Sequence, residues 1–307
     1  MLSRLIDSLV VLFGVVTLVF FLSAVVPGDP VDVMLGEHAA SADREALRAA
    51  LGLDRPLLTR WADYVIGLGE GDLGQSLVHA RPVAGLIAER LPATLSMAAA
   101  AFGVVLLIAF PLGTLAAQYR GGAVDRAASL FALLGQSIPN FWLGPMLVLL
   151  FSVSLGWLPV SGNESPASLI LPALTLGTSL AAISMRMLRA SLLEVAGQDY
   201  LRTARAKGLG RLQALYRHAL PNALLPVVTL LGLQLGALLS GAVITEVVFA
   251  WPGIGSLLID AIRQRDYPVI QGVVLVIAVT YVLINLATDL LLQWLDPRIR
   301  SGGAPIQ

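Results

Sequence analysis

The chain has 307 residues, of which 57% are hydrophobic and only 13% charged. Soluble domains carry about 25% charged residues, so this composition describes a membrane protein. A formal net charge of zero argues against a general nucleic-acid binder, and the absence of cysteine excludes disulfides, thiolate catalysis and zinc–thiolate sites.

A membrane-spanning helix needs about 20 consecutive apolar residues. Six windows free of charge are long enough: Asp7 to Asp29, Arg90 to Arg120, Arg126 to Glu164, Glu164 to Arg186, Arg217 to Glu246 and Asp266 to Asp289. They predict an all-α, polytopic membrane protein with six transmembrane helices near 6–26, 93–118, 127–155, 168–190, 223–247 and 269–294. The first window exceeds the 7–15-residue core of a signal peptide, and "AVVPGDP" lacks a small-x-small cleavage site. A retained anchor is therefore favoured over a cleaved leader.

Residues 28–92 form the largest piece outside the membrane. "SADREALRAALGLD" (41–54) predicts a short helix with Ser41 as N-cap and Gly52 near its end. "LLTRWADYVIGL" (57–68) predicts an amphipathic helix, which a membrane surface would accommodate. "GEGDLGQSLVHARPV" (69–83) is rich in turn residues; a docking surface and a packed cap over the helix ends are both consistent with it. In the third span, "QSIPNFWLGP" places Pro139 and Pro145 where they bend a helix. Such breaks persist in lipid where protein or a water-filled cavity satisfies the freed carbonyls, which puts this span in a bundle interior.

Arginine placement sets the orientation. With both termini inside, the short inner segments hold Arg4, Arg120, Arg126, Arg186, Arg189, Arg202, Arg205, Lys207, Arg211, Arg217, Arg298 and Arg300. The 28–92 loop carries six arginines against ten carboxylates and is long, so it weighs little in that balance. The expected organisation is an anchor helix with an outer loop over 1–92, a core over 93–296 and a cytoplasmic tail over 297–307.

Within the core, 190–222 joins two inner helix ends. Asp199 reads as the N-cap and Gly208 as the stop of a helix of about two turns that presents Arg202, Arg205 and Lys207, with Ala204 and Ala206 keeping it slim. Lys207 is the only lysine in the chain. A second helix, "RLQALYRHAL" (211–220), is expected to end at Pro221. Three explanations compete for this basic segment: a solvated positive-inside loop, attraction to anionic lipid, and docking into a partner's groove. A charge bias alone needs no capped helix with a defined stop, which favours docking.

Catalytic signatures are missing. No Walker A pattern surrounds Lys207, no G-x-S-x-G elbow occurs, and His38, His79 and His218 fall in separate segments without metal-ligand spacing. Asp7, Glu246 and Asp289 sit near span ends, whereas ion-driven carriers commonly bury carboxylates near the midplane.

The motifs "VPGDP" (26–30), "LGLDRPL" (51–57), "GDLGQS" (71–76), "RLPATL" (90–95), "SIPNFWLG" (137–144), "LPALTLG" (171–177), "DYLRTARAKGL" (199–209), "HALPNALLPVVT" (218–229), "FAWPGIG" (249–255), "RDYPVIQG" (265–272) and "DPRIR" (296–300) occur in this order along nearly the whole length. In this the chain closely resembles the inner-membrane permease subunits of bacterial ABC importers for oligopeptides, dipeptides and nickel. Residues 199–221 are similar to that family's cytoplasmic loop: Gly208 takes the Gly place, Ala204 the second Ala, and Leu220-Pro221 the ending. Arg202 and Thr203 stand where the consensus has Glu and Ala, and His218 where it has a hydrophobic residue.

The resemblance implies a type I importer permease fold and a place in the bacterial inner membrane. It also implies a homologous second permease, two ATPase subunits and a periplasmic or lipid-anchored substrate-binding protein. ATP and magnesium would sit on the ATPases; this chain would bind no cofactor and catalyse no covalent step. The ATPase contact would be carried by Asp199, Tyr200, Arg202, Thr203, Ala204, Arg205, Ala206, Lys207, Gly208, Leu220 and Pro221, and docking of the binding protein by Gly71, Asp72, Leu73 and Gly74. The implied cargo is a di- or oligopeptide, with a nickel or other metal chelate as the alternative. Two further classes stand beside the importer: an ion-driven carrier working alone, and a membrane scaffold or receptor.

Overall fold

The computed structural model describes residues 2–25, 30–36 and 40–295. The "DPRIR" motif, the 297–307 tail, His38 and most of "VPGDP" lie outside them. Among the described residues thirteen α-helices follow one another: α1 (Leu2–Val25), α2 (Pro30–Leu35), α3 (Ser41–Ala50), α4 (Leu57–Gly69), α5 (Val83–Gln118), α6 (Ala123–Ser137), α7 (Asn140–Leu147), α8 (Ile170–Ala196), α9 (Asp199–Ala206), α10 (Arg211–Ala214), α11 (Leu220–Val248), α12 (Ile254–Gln264) and α13 (Tyr267–Leu295). Among the described residues five helical stretches are long and apolar enough to cross a membrane; the pair Ala123–Ser137 and Asn140–Ser154, bent by 105°, makes a sixth if the two halves form one broken span.

The bend expected from the prolines of the 127–155 span is present, and it is a full break rather than a gentle kink. Pro139 drives the preceding Ile138 into extended backbone (φ −87°, ψ 117°), which ends α6 and restarts the chain as α7. Pro145 is accommodated inside α7, and a π-helical stretch, Val148–Ser154, follows. Three smaller expectations also change. Ser41 is the first helical residue behind an extended Ala40 and caps nothing with its side chain. Asp199 lies inside the first turn of α9, because the Gln198 carbonyl already accepts from the Arg202 amide. Pro221 does not end the 211–220 helix: a π-helical turn, Leu215–Ala219, carries the chain into α11. A proline there takes one donor from the ladder, and the Asn222 side-chain Nδ2 donates to the His218 carbonyl at 3.0 Å.

The chain divides into two compact units. One comprises the N-terminal stretch to Thr94 with Pro252–Val282, the other Leu95–Trp251 with the stretch from Leu283. In the first unit α4 lies along α1: Trp61 meets Phe13 and Phe21, and Tyr64 stacks on Phe20 at 5.7 Å. Burial there pushes the Tyr64 phenol up to about 12. Two aromatic side chains of the amphipathic 57–68 helix thus pack on another helix, while Leu58 and Ile66 remain exposed. Val83, Leu86 and Ile87 of α5 pack with Ile254, Leu257 and Ala261 of α12 and with Val269 and Val273 of α13. The Thr94 hydroxyl accepts from the Ile254 amide at 2.8 Å and so tends the N-terminus of α12.

In the second unit α8 is the central helix. Its most apolar stretch is 61% buried, against 17% for α1. Gly177 lets α5 approach: a Cβ there would come within 2.8 Å of the Ala101 carbonyl and of Val104. Between α8 and α11, Ser184 donates to the Gln234 amide oxygen (2.8 Å) while the Gln234 amide nitrogen donates to the Leu180 carbonyl (3.2 Å). Every polar atom of this buried clasp has a partner, which a membrane interior demands.

Candidate functional site: the short basic helix and the 71–82 turn

The eight residues of α9 divide cleanly by exposure. Leu201 is 1% and Ala204 9% exposed; Leu201 packs in a cluster with Leu188, Leu192, Ala214, Ala219 and Ala223. Asp199, Arg202, Thr203, Ala206, Lys207 and Gly208 are exposed, and Tyr200 is 43% exposed. Arg205 belongs to the helix, with its side chain outside the described set. One residue in three or four is thus enough to pin the helix, and the rest of its surface is free for a partner. Arg202 reaches Asp199 at 3.5 Å with both side chains more than 80% exposed, so this pair contributes little to stability. Asp199 favours the helix mainly as a negative charge in its first turn.

The stop is built as expected. Gly208 has φ +91°, and the Leu209 amide donates back to the Ala204 carbonyl at 3.3 Å, the long bond of a Schellman ending. The Tyr200 hydroxyl accepts from the Asn222 amide at 3.0 Å, tying α9 to the base of α11. Leu220 is half-buried against the same cluster that holds Leu201, and Pro221 is exposed beside it. All the residues singled out over 199–221 therefore gather in one place. Ala204 stands apart in role: it is packed down rather than presented.

Leu201 was missed as a site residue, although its signal is local. It precedes Ala204 by three positions and shares its face, and it is the one large aliphatic side chain in the helix.

The 71–82 turn is constructed differently. Gly71 and Gly74 both have φ near +80°, and the Asp72 carboxylate accepts from the Gly74 amide at 2.8 Å. Gly71 and Asp72 are exposed; Leu73 turns inward onto the α5–α12–α13 cluster. Beyond it, Gln75 bridges Pro82 across a tight loop. That loop closes on Asp266, only 1% exposed, which takes the Ser76 hydroxyl and the Leu77 and Val78 amides (3.1 and 3.4 Å). Asp266 follows Arg265, whose left-handed backbone (φ 57°) ends α12. Sequence reading did not find Asp266 as an organiser, because its partners lie about 190 positions away.

A second long-range contact went unread. Arg189 of α8 grips Asp125 of α6 with both arms of its guanidinium, at 2.6 and 2.8 Å, while the Gly121 amide donates to the same carboxylate at 2.8 Å. One of the arginines counted as loop charge is thus a structural clamp between two helices. Among the described residues no cluster of three or more His, Asp or Glu side chains is placed to hold a metal ion.

A bundle with this helix order, a kinked third crossing and a short packed helix between two long ones has the type I ABC importer permease fold. It is shared with the MetNI methionine ABC transporter in its inward-facing conformations, at TM-score 0.60 and 23% identity over 69% of this chain and 97% of that one. Residues 109–301 match the binding-protein-dependent transport system inner membrane component, and residues 1–98 match the N-terminal component of such systems. The chain belongs to this family and is a multi-pass inner-membrane permease of an ABC importer. It is 44% identical to the dipeptide transport system permease protein DppB of Escherichia coli (strain K12), over 94% of each chain. It is 43% identical to the di/tripeptide permease DppB of Pseudomonas aeruginosa (strain UCBPP-PA14), again over 94% of each. It is 42% identical to the glutathione transport system permease protein GsiC of E. coli (strain K12), over 97% of each.

Proposed function

We propose that this chain is one half of the translocation pathway of an ATP-driven importer of di- or oligopeptides, and that it takes its stroke through α9. The observation that carries the reading is the division of α9 into an anchored edge, Leu201 and Ala204, and an exposed face with Arg202, Thr203 and Lys207. A groove on an ATPase would grip that face, and the buried edge would pass the displacement to the ends of α8 and α11. Both termini lie in the cytoplasm, on the side of the arginine-rich short loops. A sister permease completes the pathway, ATP and magnesium are bound by the two ATPases, and a periplasmic or lipid-anchored binding protein delivers the cargo to the side of the 71–82 turn. The peptide cargo is supported by the dipeptide, di/tripeptide and glutathione permeases to which the chain is similar.

The test is uptake of a labelled dipeptide by proteoliposomes. Uptake is expected only with sister permease, ATPases, binding protein and ATP present. Uptake by this chain alone, driven by a sodium or proton gradient, would contradict the proposal. Running the same assay with a nickel chelate decides between the two cargo classes.

A further inference from the structure

We propose that Arg186, with Gln136 beside it, receives the C-terminal carboxylate of the travelling peptide; this rests on the peptide-importer reading above. A cavity of about 830 Å³ opens along α6 and α8, walled by Leu133, Gln136, Ile183, Arg186, Met187 and Leu230. That size falls within the ~300–1,000 Å³ of small-molecule sites. Two arginines reach it, and their states differ. Arg189 is neutralised by Asp125. Arg186 is exposed and donates one long bond, 3.3 Å, to the neutral amide oxygen of Gln136; among the described residues no carboxylate pairs with it. The cavity wall therefore carries one net positive charge, on a guanidinium with donors to spare.

The direction of that side chain matters. Gly135, the neighbour of Gln136, packs against Ala182 and Thr178, a turn or two before Arg186 on α8. The bond to Gln136 turns the guanidinium toward α6, and Arg186 lines the cavity between the two helices. An arginine held within a spanning helix faces a water-filled cavity or the bundle interior, and by default marks a pathway for charge. A free peptide presents one anion whatever its sequence, its terminal carboxylate, ionised above pH ~4. The planar fork of Arg186 matches that group in bidentate geometry. Apart from Ser129 and the paired Arg189, the rest of the wall is aliphatic with one adaptable methionine, which suits side chains of varied shape.

The experiment uses the complete complex in proteoliposomes, with Arg186→Gln and Arg186→Lys variants. Peptide uptake is read together with ATP hydrolysis stimulated by the loaded binding protein. Arg186→Gln is expected to lower peptide delivered per ATP about tenfold, the loss of one charged hydrogen-bonding group. Stimulated hydrolysis should stay near wild type, and Arg186→Lys should recover part of the uptake because the charge returns without the fork. Wild-type uptake by Arg186→Gln would overturn the proposal. So would loss of uptake and stimulated hydrolysis together, which marks a structural role. A defect seen in vesicles containing phosphatidylglycerol but absent in neutral lipid would assign Arg186 to a headgroup and also overturn it. A wild-type complex that moves no peptide would bring down the importer reading, and this site with it.

Discussion

Two short segments of this permease, the 71–82 turn in one unit and α9 in the other, are held in opposite ways. The turn is held by a buried carboxylate: Asp266 gathers a hydroxyl and two backbone amides, so the loop is fixed through its own polar groups. α9 is held by two apolar side chains, with its charges left pointing outward. A segment whose polar groups are consumed internally is a rigid platform. A segment pinned along one apolar edge is a handle, able to offer its full charged face to a partner.

The contrast is open to direct attack. Leu201→Ala should have the largest effect, about 2–5 kcal/mol of lost packing at a fully buried site. It is expected to release α9 in hydrogen exchange and to leave ATP hydrolysis running without uptake, while the 71–82 turn stays protected. Asp266→Ala should do the reverse. It orphans two amides and a hydroxyl at about 1–3 kcal/mol for each group left buried. Cleavage between Ser76 and Ala80 by a protease added outside is expected to speed up, with α9 untouched. Equal loosening of both segments by either change would contradict the division.

Gly208→Ala tests the stop alone. A Cβ there meets nothing within 4 Å, so the cost is the left-handed backbone, about 1–2 kcal/mol. Gly208→Val should cost more, and both should lower uptake per ATP without affecting insertion. The smallest effect on stability belongs to Arg202→Ala. This 83%-exposed side chain should leave the melting temperature of the solubilised protein within the shift of a ~0.5 kcal/mol change, yet weaken the affinity of the purified ATPase for the permease. A stability loss as large as that of Leu201→Ala would mean that Arg202 is structural.

Most of the fold was legible, because spans are written as charge-free windows and the Gly208 stop as a local pattern. The parts that stayed hidden share one cause. Asp125 with Arg189, Ser76 with Asp266 and Thr94 with the Ile254 amide join positions 64 to 190 residues apart, and no periodicity reports such pairings. Arg189, read only as a positive-inside charge, is also engaged by Asp125. The kink at Pro139 was foreseen, but not that it turns the chain by 105°, since proline chemistry fixes the break and packing sets the angle. At α9 the charges drew the eye, whereas Leu201 and Ala204 decide which way they point.

The absence of native cysteine allows one decisive measurement. A single cysteine at Arg202, and separately at Leu201, can be introduced into the assembled complex and oxidised or treated with a short thiol cross-linker. The account predicts that the cysteine at 202 links to an ATPase subunit, with a yield that changes when ATP binds, and that the cysteine at 201 stays unlinked. Labelling of the cysteine at 202 by an impermeant reagent from the outer face, with no ATPase product, would contradict it.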